Sequence, residues 1–293
     1  MSIFFKLFDA QVKSMLLYSC EVWGLTQYKG IESIHLFAIK KFLNVGQTTP
    51  NTMVYGETGR YPLYVDTYIN VVKYWFKLKK MDRNRLPRQA LEMSEMSVRD
   101  IRNCVNGKQG PLNWVYKIRE LLNNFGFSYV WLHGGVGDEK LFLSELKLRI
   151  IDCYKQSWNE KINTSVRFET YRSFKSLLEP EKYLLEITIS KFRNAMIRCR
   201  LGLNDLKVNQ RYKDVPVNRC CPFCDKIENE FHFFVECPTY KDLRRKYISE
   251  YYDNQTINVS CTVMSLMKTE NPEKIKKVAM YIYYAFKLRE ESL

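Results

Sequence analysis

Apolar residues recur at helical spacing along most of the chain. Phe5, Phe8, Val12 and Leu16 lie three or four apart, and the pattern runs on through Cys20 to Trp23. Gly24 and Gly30 then bracket a turn. A second helix is predicted over 31–43, ending near Gly46, and Thr49-Pro50-Asn51 reads as the start of a short helix that stops between Gly56 and Gly59. Pro62 opens a longer one, with Val65, Ile69, Val72 and Phe76 as its stripe and Lys77, Lys79 and Lys80 in its last turns, where cations suit the helix dipole. Residues 82–110 are less periodic. Pro87, Asn106-Gly107 and Gly110-Pro111 mark breaks there, which predicts a linker. Helices follow over 111–124 and, after the glycine-rich loop 133–137, over 138–163, with Asp138 and Glu139 as its cap.

The segment 183–200 reads as one amphipathic helix. Leu185, Ile189, Phe192, Met196 and Cys199 make its apolar stripe, and Gly202 ends it. Further helices are predicted over 239–251, 261–267 and 273–289. The fold class is therefore mostly α. The expected organisation is a helical region over 1–81, a linker over 82–110, a helical region over 111–182, a basic helix plus a small metal unit over 183–251, and closing helices over 252–293.

Composition sharpens this picture. The 293 residues are 46% hydrophobic and 14% aromatic, enough for packed cores rather than a disordered chain. The net charge of +14 favours a polyanionic partner. Lys6, Asp9 and Lys13 interrupt the opening apolar run before it can serve as a signal peptide, and the uncharged stretch 121–137 is too polar to span a membrane. Nine cysteines cannot all pair, and five of them are isolated in the chain. Reduced thiols imply an intracellular protein, nuclear or cytoplasmic.

The other four cysteines cluster. Cys221-Pro-Phe-Cys224, His232 and Cys237 have the spacing C-x2-C-x7-H-x4-C. Two cysteines two residues apart can wrap a turn around one tetrahedral ion, and a histidine and cysteine from a following short helix can complete the shell. Thiolate and imidazole ligands point to zinc, and four protein ligands leave no open position, which implies a structural role. Cys220 offers a C-x3-C alternative to Cys221, although x2 is the commoner turn. The competing reading is a reduced cysteine cluster beside a core histidine.

Directly before this cluster lies a basic strip. Lys191, Arg193, Arg198, Arg200, Lys207, Arg211, Lys213 and Arg219 face only Asp205 and Asp214, eight charges against two. On the predicted helix, Arg193 and Arg200 lie seven apart on one flank of the apolar stripe, and Lys191 and Arg198 lie seven apart on the other. Two cationic margins could track two rows of phosphates, while the plainer alternative is a solvated helix face. Tyr212 and Phe223 are candidate stacking rings, or core residues. No phosphate-binding GKS or GKT loop, HExxH, G-x-S-x-G or Tyr-x-Asp-Asp occurs, so the chemistry those motifs carry has no sequence support.

Several blocks resemble a known family. Leu7-Phe-Asp-Ala10, Met15-Leu-Leu-Tyr-Ser-Cys-Glu-Val-Trp-Gly24, Val54-Tyr-Gly-Glu-Thr-Gly-Arg-Tyr-Pro-Leu63 and Val72-Lys-Tyr-Trp75 resemble the helical thumb of LINE-type (non-LTR) retrotransposon reverse transcriptases. Lys191-Phe-Arg-Asn-Ala195, Arg198-Cys-Arg-Leu-Gly202, the Cys221–Cys224 pair and Glu230-Phe-His-Phe-Phe-Val-Glu-Cys-Pro238 are similar to the family's terminal basic and Cys-Cys-His-Cys segment. The resemblance implies RNA or DNA binding, with Cys221, Cys224, His232 and Cys237 as the ligand set. No catalytic position carries over, because neither palm nor endonuclease motifs are present. The resemblance thus implies a non-catalytic C-terminal portion, either a truncated copy or a chain begun at an internal methionine. A protein-interaction adaptor with a purely structural zinc unit is the alternative. Neither a small-molecule substrate nor a membrane partner is expected.

Overall fold

The computed structural model describes residues 2–100, 113–209, 219–251 and 259–293. Among them the regular elements are helices, with only two isolated β-bridges, Thr58 with Pro180 and Cys220 with Ile227. The chain folds as two compact units, and neither follows the predicted boundaries. One holds residues 2–38 and 61–157, the other residues 39–60 and 158–293. Two of the three boundaries fall inside the helices Lys29–Leu43 and Glu139–Thr164, where composition gives no sign of a break, and the third follows Arg60, between the stop at Gly59 and Pro62.

In the unit of 2–38 and 61–157, the helix Tyr64–Lys79 supplies the centre of the core. Val65, Val72 and Phe76 of its predicted stripe are buried, Ile69 is half-buried, and Trp75 beside the stripe is buried as well. Ile118 and Leu122 of the helix Trp114–Asn124 and Leu146 and Ile150 of the long helix join them. Asn113 caps Trp114–Asn124 by accepting from Val115 N–H at 2.9 Å, and Asp138 accepts from Leu141 N–H at 3.0 Å.

Two predictions fail here. The expected linker contains the helix Leu86–Asp100, which buries Leu91 and Val98 in the same core. Pro87 is the second residue of that helix. The first turn has no partner for its N–H groups, so proline starts the helix instead of breaking it. Residues 101–110 of the predicted linker lie outside the described residues. The first predicted helix is also discontinuous. It takes a π-helical turn over Phe8–Lys13 and breaks before Cys20–Trp23, where Ser19 adopts φ 53°.

In the unit of 39–60 and 158–293, the short helix Asn51–Thr58 is buried from Met53 to Thr58. Gly56 is required by close approach, since a Cβ there would meet the Tyr171 hydroxyl at 2.5 Å and the Trp158 ring at 2.9 Å. Gly59 ends the helix at φ 63°, where a Cβ would also strike Pro180 at 2.4 Å. The predicted helix over 183–200 is two helices, Tyr183–Glu186 and Ser190–Arg200. The intervening Ile187-Thr188-Ile189 run is β-branched throughout and turns extended, with ψ near 100° at Ile187 and 115° at Ile189. Leu185 and Ile189 are consequently exposed, and the buried stripe begins at Phe192. Helix Ser190–Arg200 packs along the closing helix Pro272–Glu291, and Phe192 meets Tyr283 edge to face at 5.3 Å.

Candidate metal centre and basic helix

The backbone around Cys221 forms a tight reversal. Cys221 N–H donates to Lys226 O at 2.8 Å, Lys226 N–H donates to Cys224 O at 2.9 Å, and Glu228 N–H donates to Arg219 O at 2.8 Å. This turns the Cys221 and Cys224 side chains toward one point. The segment His232–Glu236 is a π-helical turn, closed by Cys237 N–H donating to His232 O at 2.8 Å. In an α-helix, residues five apart diverge by well over a quarter turn. The wider π turn brings His232 and Cys237 together, and such turns often mark functional sites. Asn229 Oδ1 fixes its start by accepting His232 N–H at 2.8 Å.

The result is a four-ligand cluster. The candidate ligand atoms of Cys221, Cys224, His232 and Cys237 all lie within 4.8 Å of one another. Cys221 and Cys237 Sγ are 3.9 Å apart, and Cys224 Sγ is 3.2 Å from His232 Nε2. A tetrahedral ion with metal–sulfur bonds of about 2.3 Å holds its sulfurs about 3.8 Å apart, so the four residues fit a metal. His232 Nδ1 lies 3.4 Å from Glu236 Oε2, the kind of carboxylate backing that orients a ligating imidazole. Cys237, His232 and Cys221 are buried, whereas Cys224 is half-buried. Burial pushes the Cys221 thiol up to about 12, and charge on Cys237 adds to this. A bound cation works in the opposite direction and favours the thiolate. Cys220 stays outside the cluster, paired in the bridge to Ile227, so the structure chooses Cys221 between the two sequence alternatives.

The cluster is fastened to the closing helix. Phe233 stacks on Phe286 with centroids 4.6 Å apart, and Tyr281 Oη donates to Phe233 O at 2.7 Å. Glu228 accepts a fork from Arg289, Nε to Oε1 at 3.0 Å and Nη2 to Oε2 at 2.9 Å, with both side chains buried. Sequence reading did not anticipate this pair. Its one legible signal is a glutamate between the cysteine pair and the histidine, in a polar and charged stretch over 225–230.

The basic strip divides. Lys191 and Arg198 are exposed on one flank of helix Ser190–Arg200. Arg219 is exposed and Lys207 half-buried. Arg193 is half-buried, with its guanidinium 5.9 Å from the Phe42 ring and its Nε buried without an acceptor. Arg211, Lys213 and Tyr212 lie outside the described residues. Phe223 packs edge-on to Tyr240 at 6.3 Å, which matches its core reading.

Arg200 is the clear correction. It is 2% exposed and cannot meet a phosphate. Its Nε and Nη2 donate to Glu57 at 2.9 and 3.1 Å, Nη1 donates to Met267 O at 2.7 Å, and Nη2 lies 2.9 Å from Glu181. Glu57, 0% exposed, also accepts from the Tyr171 and Tyr183 hydroxyls. Burial raises the Glu57 carboxyl, but the Arg200 charge and hydrogen bonds, helped by Lys175, outweigh it and hold Glu57 below its ordinary value. The physical reason was available in the sequence. Arg200 follows Phe192 by eight and Met196 by four, which puts it on the apolar stripe rather than on the margin assigned to it.

Compared with protein-family models, curated proteins and solved structures, the chain has no match. No helix among the described residues is long and apolar enough to cross a membrane.

Proposed function

We propose that this chain binds RNA or DNA as the non-catalytic C-terminal portion of a LINE-type reverse transcriptase, with zinc as a structural ion in the Cys221, Cys224, His232 and Cys237 cluster. One observation carries the reading. The same closing helix backs both the four-ligand cluster and the helix that exposes Lys191 and Arg198. A closed metal unit would thus stiffen the support of a cationic flank without itself touching substrate. When bound, zinc would supply folding free energy and no reaction step. The chain's resemblance to the family's thumb and terminal Cys-Cys-His-Cys segment supports the same assignment.

Binding through phosphates should weaken with salt, by about 0.9 log units per contact and decade for duplex DNA and about 0.7 for single strands. The purified chain is expected to show that slope and to extend no primer on an RNA template. Primer extension would refute the non-catalytic reading.

A second reading, a protein-interaction adaptor, is favoured by one feature of the other unit. Ile3, Leu7, Met15, Tyr18 and Val22 are large, apolar and more than half exposed. Absence of nucleic-acid binding at low salt would select the adaptor.

A further inference from the structure

A groove of about 360 Å³ runs between helix Ser190–Arg200 and the closing helix. Lys191, Arg198 and Lys287 bring cations to it, and Tyr283 and Phe286 present half-buried rings. Asn194 and Asn204 add amides, and Asp205 and Glu290 add carboxylates. Lys191 Nζ lies over the Tyr283 ring, 5.0 Å from its centroid, so a base reaching this face takes the place of the ammonium, which its exposed stem lets swing to the adjoining phosphate. Arg198 holds Asp205 only at 3.9 Å with both side chains more than half exposed, a weak pair that a phosphate could replace.

We infer that this groove takes one unpaired nucleotide of a single strand, its base against Tyr283 and its phosphates against Lys191 and Arg198. The inference rests on the nucleic-acid reading above and names its substrate class. Three features favour a nucleotide. The volume lies at the small end of ligand sites, near one nucleotide and far below a duplex. Rings beside cations suit a π-face joined to an anion. The mixed lining of amides and carboxylates matches a base edge, which both donates and accepts, whereas an acidic peptide has no such donor edge or flat ring to offer it. A duplex would present only phosphates here, because its base faces are stacked.

The test uses the full chain with its metal and fluorescent oligonucleotides of about 12 residues, a length within common single-strand site sizes. Anisotropy compares a base-bearing strand, the same strand with abasic positions, and a blunt duplex. Tyr283→Ala is expected to weaken the base-bearing strand at least ~5-fold and to leave the duplex unchanged, as expected for losing one stacked base. Tyr283→Phe keeps the ring and should bind as the parent does. The abasic strand should lose a similar factor on the parent chain, and Tyr283→Ala should cost it nothing more. The abasic arm decides even where Tyr283→Ala fails to fold.

Equal binding of abasic and base-bearing strands overturns the proposal, as does an unaffected Tyr283→Ala. A free mononucleotide competing as well as the strand, or an oligo-glutamate peptide displacing it, also overturns it in favour of those ligands. If strand and duplex both bind with a phosphate salt slope while these arms fail, the groove is wrong and the nucleic-acid reading stands. If neither binds at low salt, both fall.

Discussion

Arg200→Met tests whether the second half of the basic flank is structural. The substitution keeps an unbranched apolar stem of similar length and removes the guanidinium. Glu57 then loses its charged partner, while Tyr171 and Tyr183 remain as donors. Breaking a buried pair from one side typically costs about 3–5 kcal/mol, because the remaining charge stays desolvated. At a factor of ten per about 1.4 kcal/mol, that corresponds to a rise in local opening of roughly 10²-fold to several thousand-fold. Hydrogen exchange of peptides covering Met53–Thr58, read by mass spectrometry, reports this opening directly. It also avoids assuming one cooperative transition for a chain of two units. Adding Glu57→Gln should restore about 1–3 kcal/mol of the loss, since a neutral amide is cheaper to bury than an unpaired carboxylate. The pH dependence follows from the depressed Glu57 carboxyl. A group lower in the folded state stabilises it above its unfolded value, near 4.5, and that stabilisation is lost as pH falls through the lower folded value. Parent protection should therefore drop below about pH 4.5, and Glu57→Gln should flatten that limb. Unchanged exchange in Arg200→Met would refute the buried pair and return Arg200 to the list of phosphate contacts.

Three other outcomes are expected. Cys224→Ala should lose about one equivalent of bound zinc by mass spectrometry under native conditions, whereas Cys220→Ala should keep it; full zinc in Cys224→Ala would sink the ligand set. Gly59→Ala should destabilise its unit by about 1–3 kcal/mol in urea melts followed by circular dichroism, because the left-handed backbone and the Pro180 contact both oppose a Cβ. Arg289→Met should loosen the metal unit and speed zinc transfer to a chelator, because Glu228 would be left buried without its fork; an unchanged transfer rate would show that the fork does not secure the site.

Legibility in the sequence followed one physical line. Where apolar spacing was regular between an opening proline and a closing run of lysines, as in Tyr64–Lys79, pattern and structure agree. The cysteine–histidine spacing likewise picked out the four side chains that come together as candidate ligands, because a tight turn and a short helix are local devices. Some of what was missed is local, namely the β-branched break at 187–189 and the first-turn proline of Leu86–Asp100, and the rest depended on contacts far along the chain. Glu57 and Arg200 lie in separate segments, so although the spacing from Phe192 and Met196 marks Arg200 as facing inward, its partner is not legible locally. Helix Leu86–Asp100 was hidden because its buried face includes Glu95, which is satisfied by Trp75 at 3.2 Å and Lys79 at 3.0 Å. Several residues that carry the family resemblance have structural duties here. Gly56, Glu57 and Gly59 serve close packing, a buried ion pair and a helix stop.

The most direct test of nucleic-acid binding through the exposed flank is the salt dependence of single-strand affinity in the parent, Arg193→Ala, and the double variant Lys191→Ala/Arg198→Ala. The account predicts that the double variant lowers the slope of log K against log salt by about 1.4, two contacts' worth, and that Arg193→Ala leaves it unchanged. A parent that binds no strand at low salt, or a double variant with the parent's slope, would contradict it.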